Sequence, residues 1–186
     1  MSQEKTEQVL AAARKVFIRY GYRRVTMAEL AEAAQMSRPA LYLVFPSKEQ
    51  IFTEVVRQLT NENLQEIREG IQKLKTVDEQ LDFAFEVWSV RPFELIQASP
   101  DASDLYESIK DIAAELLTQA ADDFESLLVS ILEPVVGKKK KGADLSPQRI
   151  ARILRTSTKG FHFTAKDAAD LREMISDLRR LVLAGM

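Results

Sequence analysis

The chain has no cysteine, one histidine (His162), one tryptophan (Trp88) and only six prolines and six glycines among 186 residues. Without cysteine there is no disulfide scaffold, thiol nucleophile, CxxC redox pair or cysteine zinc site. A lone histidine excludes an HExxH metal site and restricts any serine triad to that one ring. Proline and glycine are too sparse for collagen, long linkers or disorder, and no glycine-rich phosphate loop is present. No apolar run approaches the roughly 18 residues of a membrane span. The opening Met-Ser-Gln-Glu-Lys is not followed by the apolar core of a signal peptide. These absences predict a soluble, cytoplasmic protein with no membrane partner, no metal and no cofactor, and not an enzyme.

The length allows one large domain or two small ones, and 46% hydrophobic residues suffice to fill a core. Apolar residues recur at helical spacing almost throughout. Val9, Leu10, Ala13, Val16 and Phe17 make one stripe, and Met27, Leu30, Ala31 and Ala34 another. A long helix is predicted from Ser47 to Lys75, and the next begins at Val77 and ends at the Arg91–Pro92 step, since proline disfavours helical geometry before it. Gln97–Asp104 reads as a turn, Leu105–Ile131 as one long helix, and Gly137–Pro147, with lysines at 138–141, as a solvated loop. Two further helices follow, Ile150–His162 and Asp167–Ala184. The expected fold class is all-α.

Between the first stripe and the long helix lie two short helices joined by a very short connection. Thr26 with Glu29 three residues on forms a capping-box pattern. Ser37 is placed to cap the second short helix, with Pro39 in its first turn. Helix, tight turn, short helix is the helix-turn-helix arrangement, whose second helix enters the major groove of DNA by its first residues. Leu41 and Phe45 are expected to point inward, and Arg38, Ala40, Tyr42 and Leu43 outward.

The overall balance of 26 basic and 28 acidic residues, a net charge of -2, disguises an asymmetry. Residues 1–50 hold eight Lys/Arg against five acids, a local +3, and residues 51–186 hold 18 against 23, a local -5. Phosphates respond to local charge, and it is positive where the motif lies.

The stretch VLAAARKVFIRYGYRRVTMAELAEAAQMSRPALYLVFPSKEQIF, Val9–Phe52, resembles the DNA-binding domain of the TetR family of bacterial transcriptional regulators. The marks are Ala12–Phe17, Gly21-Tyr22, Thr26, Leu30-Ala31 with Ala34, Ser37, Leu41-Tyr42 and Phe45–Glu49. The resemblance implies phosphate contacts from Thr26, Tyr42 and Lys48 and base-edge contacts from Arg38, Pro39 and Ala40, with Ser37 and Leu43 in the same DNA-binding set. Two positions depart from the family pattern. Gln35 stands where a turn glycine is usual, and Val44 where an aromatic or histidine is common. A positive φ at Gln35 would cost about 1 kcal/mol.

The resemblance also implies the architecture of the whole chain. Residues 1–50 would be a three-helix DNA-binding domain, joined to a helical ligand-binding and dimerisation bundle at 51–186. The implied function is a one-component regulator, a repressor binding a near-palindromic double-stranded operator and released by a small, largely apolar effector. A homodimer would form through residues 147–184, where the stripes Ile153, Leu154, Ser157 and Phe161 beside Ala151, Thr158 and His162 are wide for one internal contact. Phe85, Trp88, Phe93 and Tyr106 are the candidate effector contacts, with Glu86 or Arg91 as polar partners, although each aromatic would serve equally as core. Activation in place of repression, and a helical adaptor acting on proteins, are the competing readings. Arg38 is the one side chain here able to grip a guanine bidentately. Arg38→Ala should therefore cost about 1–3 kcal/mol of discrimination at one base pair of each half-site, measured by competitive mobility shift with single-base operator variants.

Overall fold

A computed structural model describes residues 3–136 and 145–185; the lysine run at 138–141 and most of the loop expected around it lie outside the described residues. The described residues are helical with no strand. The helices are α1 (Gln3–Tyr20), α2 (Met27–Ala33), α3 (Arg38–Val44), α4 (Lys48–Ile71), α5 (Val77–Phe85), α6 (Arg91–Gln97), α7 (Ala102–Ile112), α8 (Ala114–Leu132), α9 (Pro147–Phe161) and α10 (Ala168–Ala184). None is long and apolar enough to cross a membrane. No group of three His, Cys, Asp or Glu side chains is arranged to hold a metal among the described residues.

Two compact units divide the chain. The first comprises the described residues up to Thr60 together with Leu95–Leu117; the second comprises Asn61–Glu94 and the residues from Thr118 onward. In the first, the α1 stripe Val9, Leu10, Ala13 and Phe17 is buried against Leu30, Leu41, Ile51 and Phe52. Each such side chain contributes about 1.5–3 kcal/mol by leaving water, which α2 and α3 need because seven-residue helices do not persist alone. Three aromatic rings centre this core. Phe52 meets Phe17 edge-on at 5.1 Å and Tyr22 at 4.7 Å. Leu105 and Ala113, at either end of α7, complete it.

In the second unit, Phe124 of α8 receives Phe85 edge-on at 5.5 Å and stacks flat on Trp88 at 4.7 Å. Leu81, Leu128, Leu132, Leu154 and Leu171 are fully buried in the same unit. Gly70 lies where an added Cβ would strike the Phe83 ring, so a side chain there would force that ring to move. Arg179 of α10 is buried, and its guanidinium reaches the carbonyl and carboxylate of Asp78 and the carboxylate of Asp82. A buried guanidinium is tolerable only with such partners. Arg172, more exposed, forks onto Glu86 at 2.9 Å twice and reaches Glu94 at 3.1 Å.

Two expectations about helix ends are corrected. Pro92 does not stop its helix: Glu86–Val90 widens into a π-helical turn and α6 continues from Arg91, which keeps helical angles of φ -60 and ψ -45. Proline lacks an N–H and its ring clashes with the carbonyl four residues back. The wide turn, in which the Arg91 N–H donates to the Glu86 carbonyl five residues back, makes room for that ring. The single helix expected from Leu105 to Ile131 is broken at Ala113, where φ is -111 and ψ is 21. The apolar spacing runs on across the break, and no local residue explains it. The turn before α7 is also shorter than expected, because α6 extends to Gln97 and α7 begins at Ala102.

The π turn carries Ser89 inward, where its Oγ lies 2.6 Å from His162 Nε2 beside the Phe93 ring. Burial lowers the His162 pKa below its usual 6.5. Below that value the unfolded chain takes up a proton that the folded chain resists. Stability is therefore complete above pH 6.5 and falls as the pH drops toward the folded pKa. The thermal midpoint of the second unit should decline from pH 7 to pH 5, and His162→Gln should flatten that decline in a pH series of melting curves.

Candidate nucleic-acid interface

The candidate element, α2 and α3, is built from caps. Thr26 is extended at φ -109, ψ 159, and its hydroxyl accepts from the Glu29 N–H while the Glu29 carboxylate accepts from the Thr26 N–H at 2.8 Å. The Thr26 hydroxyl also donates to the Glu29 carboxylate at 2.8 Å, and that bond, with the one from the Thr26 N–H, holds the Glu29 carboxyl below its ordinary pKa. At the far end of α2 the Gln35 N–H donates to the Glu32 carbonyl and the Met36 N–H to the Ala31 carbonyl. This is a Schellman closure with Gln35 in the left-handed conformation at φ 54. The turn thus takes the conformation usually given to glycine, at a cost of about 1 kcal/mol. Gln8 of α1 offsets part of it by donating to the Ala34 carbonyl at 2.7 Å.

Ser37 caps α3 by accepting from the Ala40 N–H at 3.3 Å, and Pro39 occupies the first turn. A serine cap of this kind contributes about 1 kcal/mol. Leu41 is fully buried and Phe45 nearly so, which fixes the rotation of the helix. The opposite face presents Arg38, Pro39, Tyr42 and Leu43 to solvent, with Ala40 half-buried between them. Leu43 is 74% exposed, an extent that packing within this chain does not account for. Arg38 is the one charged side chain of α3.

Lys48 opens α4, and Ser47 caps it by accepting from the Gln50 N–H. The lysine does not extend freely into solvent. Its Nζ donates to the carbonyls of Tyr22 at 2.9 Å and Val25 at 2.8 Å, approaches that of Arg23 at 3.4 Å, and lies 4.2 Å from the centre of the Tyr22 ring. Burial depresses its pKa, opposed by Asp104, Glu49 and Glu29. From the other side, Asp104 Oδ2 accepts from the N–H groups of Tyr22 and Arg23. Sequence reasoning missed Asp104 altogether. Its only trace was the spacing of Asp101, Asp104 and Glu107, which puts three acids along one face of α7.

The expected effector residues fall in both units, with Phe85 and Trp88 sharing the Phe124 ring. Phe85 and Phe93 are buried and Trp88 is half-buried, all in the second unit; Tyr106 belongs to the first. Burial raises the Tyr106 pKa, and its hydroxyl has no hydrogen-bond partner among the described residues. Glu86 is engaged by Arg172, and Arg91 pairs with Glu66 at 2.7 Å. An open groove of about 690 Å³ lies elsewhere, lined by Glu125, Arg149, Arg152 and Ile153 among others.

Residues 9–55 match the family described as bacterial regulatory proteins, tetR family. Along 199 aligned residues the chain is 24% identical to the HTH-type transcriptional regulator RutR of Escherichia coli (strain K12), covering 98% of this chain and 90% of RutR. Among solved structures, a transcriptional regulator from Cytophaga hutchinsonii ATCC 33406 superposes with a TM-score of 0.82 at 21% identity over 98% of both chains. Thermus thermophilus FadR, a TetR-family transcriptional repressor solved in complex with lauroyl-CoA, gives 0.63 at 23% identity over 97% of this chain and 94% of its own. At such identities the structural likeness speaks for the fold.

The carbonyl contacts of Lys48 generate a prediction that a phosphate role alone would not. Lys48→Met keeps the aliphatic stem and removes the ammonium. It should lower the stability of the first unit by about 2 kcal/mol, the scale of charge-assisted bonds to main chain, as well as weaken DNA binding. A melting curve unchanged from wild type alongside weakened binding would mean that Lys48 serves phosphate only.

Proposed function

We propose that the chain, whose residues 9–55 match the tetR family of bacterial regulatory proteins, is a member of that family and a one-component repressor gripping a near-palindromic operator as a homodimer. Residues 1–50 form the DNA-binding domain and residues 51–186 the effector-binding and dimerisation domain. The observation that carries the reading is α3. Its inner face is locked by Leu41 and its outer face presents Arg38, Pro39, Tyr42 and Leu43. Thr26, Ser37 and Tyr42 are the proposed phosphate contacts, with Lys48 joining them if phosphate draws it from its carbonyls.

The side chains of α3 restrict what the operator looks like. Arg38 suits guanine, whose O6 and N7 accept a bidentate guanidinium. The helix has no Asn or Gln for adenine and no acid for cytosine. Pro39, Ala40 and Leu43 offer only apolar surface, which suits thymine methyls. Each half-site therefore contains one guanine read by Arg38, flanked by thymines.

The second copy docks through residues 147–184. Ile153, Phe163 and Leu181 are 40, 84 and 75% exposed there, an apolar set that a partner copy would cover. Pairing sets two α3 helices about one turn of DNA, or a multiple of it, apart. The effector is small and largely apolar; the lauroyl chain of the lauroyl-CoA bound by Thermus thermophilus FadR supports an apolar portion, though not the small size, since coenzyme A itself is large and charged. Its proposed contacts are Phe85, Trp88 and Phe93, and separately Tyr106. It acts by its differential affinity for two conformers, only one of which has the operator spacing.

The decisive experiment enriches random duplexes on the full chain and then substitutes each enriched thymine by uracil, which removes only the methyl. Loss of one methyl contact at Leu43 should weaken binding about fourfold, the equivalent of ~0.8 kcal/mol. Leu43→Ala should bind both versions alike. Enrichment of half-sites lacking guanine, or indifference of the wild-type chain to uracil, would sink this reading of α3.

A further inference from the structure

The main chain between α1 and α2 is held on both of its hydrogen-bonding sides by charged residues from distant helices. Lys48 takes the carbonyls of Tyr22 and Val25, and Asp104 takes the N–H groups of Tyr22 and Arg23. Asp104 is 82 residues from Tyr22 in sequence, so the tie is wholly tertiary. Gly21 makes it possible. Its φ is +74, and a Cβ there would lie 2.5 Å from the Asp104 carboxylate and 3.0 Å from the Asp101 Cβ. Four residues beyond Tyr22 comes Thr26, the cap that starts α2, and α2 carries the Schellman turn that aims α3.

Resting on the operator-binding reading above, we propose that Asp104 is a positioning residue for DNA recognition. Its carboxylate anchors the Tyr22–Arg23 main chain to α7 and so sets where α2 and α3 stand, making the placement of α7 a determinant of operator affinity. An alternative role for the same carboxylate is to mask Arg23 from phosphate. Two observations decide between them. Asp104 is mostly buried, with a side chain 15% exposed, and spends one oxygen on two main-chain donors. Its contact with Arg23 Nε is a longer 3.4 Å, to a side chain 64% exposed. Exposed ion pairs are weak and screened by salt, whereas charge-assisted bonds from main-chain N–H groups are the stronger term, and the one from Tyr22 is partly buried. The neighbouring acids fit the same division: Glu107 and Asp101 meet Arg23 and Arg24 only at the surface.

The test uses the full chain and the duplex enriched by wild type. Asp104→Ala should raise hydrogen exchange at the Tyr22 and Arg23 amides and weaken operator binding about tenfold, the loss of roughly one charge-assisted hydrogen bond. The salt slope should be unchanged, because no phosphate contact is removed. Asp104→Asn, which keeps an acceptor oxygen, should recover part of the affinity. Val9→Ala, in the buried core of the same unit but away from the turn, controls for general destabilisation and should leave affinity near wild type. Tighter binding by Asp104→Ala would overturn the proposal in favour of masking. Exchange unchanged at the two amides, or an affinity loss in Val9→Ala equal to that of Asp104→Ala, would overturn it as well. Failure of the wild-type chain to enrich any duplex would instead defeat the operator reading itself.

Discussion

Six residues of main chain between α1 and α2, Gly21 to Thr26, have to be rigid without belonging to any helix, and the candidate reading element depends on how their polar groups are met. Buried main-chain N–H and carbonyl groups are expensive to leave unpaired. Here a lysine from α4 supplies donors and an aspartate from α7 supplies acceptors. The arrangement explains why two seven-residue helices stand still. Neither would persist in water, and their buried side chains fix their rotation but not the position of their start. That start is set at Thr26, whose cap inherits its place from the tied turn.

The same constraint gives Lys48 its altered electrostatics. Burial against the Tyr22 ring and the carbonyls lowers its pKa, yet Asp104, Glu49 and Glu29 favour its charge. A lysine at a helix N-terminus works against the helix dipole. Three carbonyl oxygens and the carboxylates of Asp104, Glu49 and Glu29 give it a reason to be there. A phosphate bound at Lys48, as proposed, would draw on the same three ammonium protons as the turn, and would so link DNA contact to the geometry of the turn that positions the helix beside it.

What the sequence made legible was local. The caps at Thr26, Ser37 and Ser47 lie within three residues of their partners, and the strain at Gln35 follows from one position in a turn. Inward Leu41 and Phe45 follow from helical periodicity, and the all-helical class from the same periodicity throughout. Features that depend on distant residues escaped. The step at Pro92 was read as a stop because the rule for proline is local, while the π turn that accommodates it is one solution among several and is fixed by packing. The break at Ala113 interrupts a stripe whose spacing never falters. Asp104 was invisible for a further reason: an acid in the first turn of a helix is ordinary, and nothing near it in sequence names the turn it grips.

The charge arithmetic changes meaning once the fold is known. Residues 1–50 carry a local +3, but the compact unit also contains Leu95–Leu117, which brings five acids, Asp101, Asp104, Glu107, Asp111 and Glu115, against Lys110 alone. Arg23, Arg24 and Lys48 therefore answer to carboxylates and carbonyls of their own chain before any phosphate arrives. Such residues supply less long-range attraction than their count suggests, and more coupling. Whatever displaces α7 alters the turn at Tyr22 and hence the aim of α3. By the reciprocity of linked equilibria, DNA that holds α3 in place must favour the same position of α7 by an equal free energy. On the proposed operator-binding reading, a basic element built into a unit with an acidic helix would suit conditional binding, since its affinity for phosphate would be tied to the placement of the acids beside it.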